Sequence, residues 1–281
     1  MDEKLHEFLI YLKVEKNCSP KTIDSYKKDI KQFFEDIKIK EVSDITKYKI
    51  REFLSIMDDR ELEPATRNRK LTSIRSFCNY LIMEEYLQTN PTIDISYAKI
   101  DKRLPKTITV EQTFNILDSV ESLRDKAALE ILYATGVRVG ELVNIELADI
   151  DTESGRMRVF GKGSKERVVP LTKTAIESVD AYLKNRECKS KYLFPSPANN
   201  KKPITTKAIY NLVRRYGENN GVKMSPHKFR HSVATHLLSR NMDIRKIQEL
   251  LGHSNINTTT IYAQIAIEQM ASQFHSAHPR G

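Results

Sequence analysis

"SPHKFRHSVATHLL", residues 225–238, is the stretch on which the reading of the fold turns. Ser225 followed by Pro226 marks a helix start: a hydroxyl that accepts a free amide, then a ring whose fixed φ suits the first helical position. His227 falls in the first turn, where unpaired backbone N–H groups and the helix dipole favour an anion. Arg230 and His231, three and four residues further on, share its face. Three cationic or donor groups thus meet at an anion-friendly helix end. His236 projects to the other side and reads as structural. The pair His227 and His231 lacks the Glu of H-E-x-x-H and has no third ligand nearby, so no metal is implied.

Working outward, "YATGVRVGELVNI" (133–145) breaks a helix at Thr135-Gly136 and opens the next at Arg138, whose local reading is an i, i+3 ion pair with Glu141. "RMRVFGKGSKERVVPL" (156–171) sets two β-branched runs around glycines, a hairpin with Lys162 at its tip. It is not a nucleotide loop, because no G-K-[ST] leads from a strand into a helix. "IQELLGHSNINTTTIYAQI" (247–265) leaves a helix at Gly252 and carries His253 and, nine positions later, Tyr262. Helices are expected near 110–119, 122–134, 138–147, 172–186, 205–219, 226–240 and 243–251, with "YLFPSPANNKKPIT" (192–205) as a proline-containing loop.

The first part reads as helical. "CSPKTIDSYKKDIKQFFEDI" (18–37) has Ser19 as N-cap, Pro20 at the first position and Ile23, Tyr26, Ile30, Phe33 and Phe34 at helical spacing. Lys21, Lys27, Lys28 and Lys31 decorate it. A second helix, within 63–87, carries Arg67, Arg69, Lys70 and Arg75 in its first half. Both basic sets are candidate contacts for a polyanion, against the plainer reading of solvated faces on core helices. Residues 88–106 contain two prolines, no helical period and Lys99, Lys102 and Arg103. They read as an extended linker able to follow a phosphate backbone. The expected division is a helical domain over 1–87, a linker over 88–106 and a second domain over 107–281.

A chain of 281 residues favours two domains over one. No apolar run approaches the roughly 18 residues of a membrane span, and the opening "MDEKLHEFLI" lacks a signal-peptide pattern, so a cytoplasmic location is expected. Cys18, Cys78 and Cys188 are scattered and odd in number, which fits reduced thiols rather than a disulfide or zinc framework. The formal charge is +9, and residues 1–100 hold 18 basic and 18 acidic side chains, so the whole excess lies beyond them. A polyanion, nucleic acid being the commonest, is expected mainly on the C-terminal part.

Taken in order, "ATGVRVGEL", "GKGSKERVVPL", "SPHKFRHSVATHLL" and "IQELLGHSNINTTTIYAQI" closely resemble the tyrosine recombinase (phage integrase) family, its Xer-like branch in particular. The N-terminal "SPKTIDSYKKDIKQFF" resembles that family's core-binding domain, and the ending "HPRG" a Xer terminus. The resemblance implies a mainly α chain with a small β-sheet: a helical, SAM-like core-binding domain and an α+β catalytic domain that clamp DNA. It implies Arg138, Lys162, His227, Arg230 and His253 as the active site and Tyr262 as nucleophile, forming a 3′-phosphotyrosyl link without ATP, metal or other cofactor. A phenol of pKa near 10 is about 0.1% ionised at pH 7, so it needs a base, for which His227 is the choice. Arg138, Arg230 and His253 would neutralise the phosphoryl oxygens, and Lys162 would protonate the leaving 5′-oxygen. Further implications are double-stranded DNA with inverted half-sites, a homotetramer or paired heterotetramer on two sites, and a tail docked in trans on a neighbouring protomer. Any accessory or translocase protein stays open. Chromosome dimer resolution is the expected role, with resolution or integration of a plasmid, transposon or phage as the alternative. A type IB topoisomerase and a non-catalytic DNA-binding protein are the remoter readings.

Overall fold

Among the described residues, most helices begin at a hydroxyl residue. Ser19, Thr46, Thr109, Ser122, Thr172, Thr205 and Ser225 each accept a hydrogen bond from the backbone N–H three residues on, closing one of the free donors of a helix start. Thr109 adds a capping box, with Gln112 reaching back to its amide. The computed structural model describes residues 1–100, 107–161 and 166–252. The chain divides into two units, Met1–Arg103 and Leu104–Gly281.

The first unit comprises α1 (Asp2–Val14), α2 (Pro20–Ile37), α3 (Lys47–Asp59) and α4 (Pro64–Met83). Its centre is aromatic: Phe8, Phe33, Phe53 and Phe77 are fully buried, with edge-on pairs Phe8–Phe77 and Phe33–Phe53 at 5.3 Å. Cys78 joins that core, and burial pushes its thiol up to about 12. A polar junction ties α2 to α4. Asp29, 1% exposed, accepts from Arg69, from Lys70 Nζ at 3.1 Å and from Ser73 Oγ at 2.8 Å.

Within the segment expected as an extended linker, residues 92–98 are fastened to α4. Arg75 donates to Thr92 O at 3.0 Å and Ile95 O at 2.8 Å, Asn68 exchanges two hydrogen bonds with Ala98, and Ile95 is buried. The carbonyls of a non-periodic strip need donors, and α4 supplies them.

The second unit comprises α5 (Val110–Asp118), α6 (Leu123–Thr135), α7 (Val139–Leu142), β1 (Ile150–Asp151), β2 (Arg156–Phe160), β3 (Glu166–Pro170), α8 (Lys173–Lys184), β4 (Pro195–Ser196), β5 (Asn199–Pro203), α9 (Thr206–Asn219), α10 (Pro226–Ser239) and α11 (Ile244–Leu251). Helix α6 is central, packed against α5, α7, α8, α10 and β3, with Ala127, Ala128, Leu129, Ile131 and Leu132 all buried. Strands β1, β2 and β3 form an antiparallel sheet in that order, and β2 pairs with β3 from Arg156↔Pro170 to Phe160↔Glu166.

Two expectations are corrected. The helix expected over 138–147 stops at Leu142, because Ile145 and Leu147 pair their backbones with Leu193 and Lys191 at 2.8 and 2.7 Å. The loop expected over 192–205 contains the antiparallel pair β4–β5, whose exposed Asn and Lys residues gave no strand signal. Among the described residues no helix is long and apolar enough to cross a membrane.

Candidate active site

The chain approaches the site through α6, which ends at Gly136 in the left-handed conformation (φ 60°). A Cβ at Gly136 would collide with Leu251 Cδ2, so glycine serves both the turn and the approach of α11. Two residues on, Arg138 is the N-cap of α7, with its backbone N–H on Glu141 Oε2 at 2.9 Å and its Nη1 on Glu141 Oε1 at 3.0 Å. The i, i+3 pair read from the sequence is therefore present. Arg230, on α10, is 8% exposed and donates to Gly136 O and, at 2.6 Å, to Leu251 O.

The end of α11 gathers these side chains. Its last carbonyls each accept from a different arginine: Leu250 O from Arg167 Nε at 3.0 Å, Leu251 O from Arg230, and Gly252 O from Arg138 Nη2 at 3.0 Å. Carbonyls at a helix C-terminus lack intrahelical partners and carry partial negative charge, so guanidinium groups both satisfy and balance them. Arg138 and Arg230, 92 residues apart in the chain, are thereby brought to one place.

Arg167 was not a candidate, yet the sequence held a signal for it. Met157, Val159 and Val169 face inward from the β2–β3 hairpin, and Arg167 shares the inner face of β3 with Val169. An arginine there requires an acidic partner. That partner is Glu141, held at 2.7 Å by Arg167 Nη2 and at 3.2 Å by Nη1. Burial alone would raise the Glu141 carboxyl, but hydrogen bonds from Arg167 and from Arg138 outweigh it and hold the group below its usual range.

His227 is exposed in the first turn of α10, whose cap Ser225 accepts from Lys228 N at 3.2 Å. His231 is half-buried, and its imidazole is lowered by burial first and by the charges of His227 and Arg230 second. His236 is buried on the opposite side. Its Nε2 lies 2.8 Å from Ile108 O, which only accepts, so Nε2 carries the proton and Nδ1 accepts from Tyr133 Oη at 3.1 Å. Ser232 Oγ accepts from Ile108 N at 2.9 Å, so Ile108 is clamped to α10 through both backbone groups. Lys162, His253 and Tyr262 lie outside the described residues, as do Lys102 and Arg103.

Among the basic residues expected on DNA, Lys21, Lys27, Lys28, Lys31 and Lys99 are exposed, Lys28 in an ion pair with Asp24 at 2.7 Å. Arg67 pairs with Asp58, and Arg69 with Asp29. Lys70 and Arg75 are corrections. Lys70 is 7% exposed and holds Asp29 and Gln32, while Arg75 is bound to the 92–95 backbone, so both stabilise the first unit from within.

Comparison with known proteins identifies the family. Residues 106–269 match the model of the phage integrase family, and residues 5–85 match the phage integrase N-terminal SAM-like domain. The chain belongs to the phage integrase family. The chain is 35% identical to tyrosine recombinase XerD of Staphylococcus haemolyticus strain JCSC1435 over 296 residues, covering 100% of both chains. It is 34% identical to XerD of Halalkalibacterium halodurans, covering 100% of this chain and 99% of that one. Its fold matches a crystal structure of XerH site-specific recombinase bound to palindromic difH substrate, with TM-score 0.76 and 24% identity over 98% of this chain and 90% of that one. It also matches a lambda integrase tetramer bound to a Holliday junction, with TM-score 0.74 and 20% identity over 90% and 74% of the two chains. The chain is an enzyme of site-specific DNA recombination of the Xer type.

Proposed function

We propose that the chain cuts and rejoins double-stranded DNA at inverted half-sites through Tyr262, and that its role is the resolution of chromosome dimers. The observation that carries the site assignment is the meeting of Arg138 and Arg230 at the carbonyl end of α11, one residue before His253. Two guanidiniums there suit the non-bridging oxygens of a phosphodiester, because each stays charged and offers a planar fork. His227, exposed at the start of the same helix as Arg230, takes the phenolic proton of Tyr262. The phenolate attacks phosphorus, the 3′-phosphotyrosyl bond forms, and the 5′-oxygen leaves with a proton from Lys162. His253 adds a donor to the phosphoryl oxygens. Rejoining is the same step reversed with a new strand.

Similarity to tyrosine recombinases named XerD over 99–100% of their length supports Xer-type recombination, and chromosome dimer resolution is the role we prefer over integration or resolution of a mobile element. Lys21, Lys27, Lys28, Lys31 and Lys99 are the proposed backbone contacts of the first unit, with Arg67 and Arg69 at its margin. The working assembly is four protomers on two sites, all of this chain or shared with a second recombinase, and the tail beyond Tyr262 docks on a neighbour.

The direct test is Tyr262→Phe on a nicked suicide duplex. Covalent protein–DNA complex should vanish, while affinity for the half-site changes by less than about twofold, since only the attacking hydroxyl is lost. Residual covalent complex would assign the nucleophile to another residue. Mapping the preferred site on the source genome tests the role: a site inside a mobile element would overturn it.

A further inference from the structure

Arg167 stands at the inner face of β3, the strand that leads out of the hairpin tip, and its fork is spent on protein partners. Nη1 and Nη2 donate to the two oxygens of Glu141 at 3.2 and 2.7 Å, and Nε donates to Leu250 O at 3.0 Å. Glu141 also accepts from the backbone and side chain of Arg138, which in turn reaches Gly252 O. These contacts close a ring through the start of α7, α7 itself, β3 and the end of α11. Gly252 seals the ring from the other side. It is left-handed (φ 65°), and a Cβ there would lie 3.0 Å from Arg167 Cζ and Nη1 and 3.2 Å from Nε, so the guanidinium plane rests against the chain as it leaves α11.

We infer that Arg167 is a positioning residue for strand cleavage: through Glu141 and the end of α11 it sets the guanidinium of Arg138, without touching the phosphate. This rests on the roles proposed above for Arg138 and Tyr262. To meet a phosphate, Arg167 would have to release a carboxylate whose side chain is 7% exposed, leaving that charge buried with its main partner gone. Arg138 has a side chain 43% exposed against 16% for Arg167, so of the two it is the one a substrate reaches. Lysine cannot replace the fork, because one ammonium cannot bridge both carboxylate oxygens in plane and still reach Leu250 O.

The test uses Arg167→Lys and Arg167→Gln in the full chain, with folding followed by thermal unfolding, on a duplex site selected by the wild-type chain from random DNA. Single-turnover covalent complex formation on the nicked suicide form should fall at least about 30-fold, the scale expected when reacting groups are misplaced. Half-site affinity should stay within about threefold, and the double variant Arg138→Ala/Arg167→Lys should be no slower than Arg138→Ala alone. Unchanged cleavage overturns the inference. So does a parallel loss of binding and cleavage, which is a structural role, and so do multiplied losses in the double variant, which mark an independent phosphate contact. Failure of both variants to fold overturns it as well, since the fork would then serve the fold. Failure of the wild-type chain to form covalent complex would instead strike the proposed function.

Discussion

His236 shows how one side chain ties local chemistry to stability. Its imidazole is held between Tyr133 Oη and Ile108 O, and burial lowers it from an ordinary value of 6.5. The folded state therefore favours the neutral ring, and the unfolded chain takes up a proton first as pH falls. Stability from this residue is complete above about pH 6.5 and is lost as pH falls below that value, until the lower folded-state value is passed. His231 acts in the same direction. His236→Gln keeps an amide donor toward Ile108 O and removes the titration. Its urea midpoint should fall less between about pH 7 and pH 5 than that of the parent chain. An unchanged slope would assign the pH dependence to other groups.

At the scale of elements, the β2–β3 hairpin is the piece whose chemistry is most separable. Its strands are in register up to Phe160↔Glu166, and Lys162, which falls between them in the sequence, lies outside the described residues. Lys162→Ala should slow cleavage of an ordinary duplex by about 10² to 10⁴-fold and slow a 5′-bridging phosphorothiolate substrate far less, because a thiolate leaves without a proton. Equal losses on both substrates would make Lys162 a phosphate binder. This hairpin was legible in the sequence because β-branched runs flank glycines. Helices α2 and α10 were legible because a serine followed by proline marks their first turns. Residues 145–147 were not, since their pairing with 191–193 is set by tertiary contact and leaves no local mark. Lys70 was misread for a related reason: its place on a basic helix is visible, but the buried Asp29 that claims it lies 41 residues away.

At the scale of the whole molecule, recombination needs two duplexes and therefore contact between protomers. Ile265, Ile267, Met270 and Phe274 are the apolar residues of the tail and lie outside the described residues. If they dock on a neighbour, four buried side chains at roughly 1.5 to 3 kcal/mol each would contribute enough to govern assembly. Truncation after Ala266, which removes three of these four side chains, should leave a folded chain that binds one half-site, but it should lose cooperative binding to the full site and recombination between two sites. Normal recombination by the truncated chain would sink docking in trans, and failure to fold would favour packing in cis. The central position of α6 has a consequence for how the chain is made. Eight of its thirteen residues are buried, and part of its cover comes from α10, which begins at Pro226. At about 5–20 residues per second, residues 123–135 leave the ribosome roughly 5–20 s before that helix follows. During that interval the face of α6 that α10 covers stays open, so α6 is where a nascent chain would recruit a chaperone.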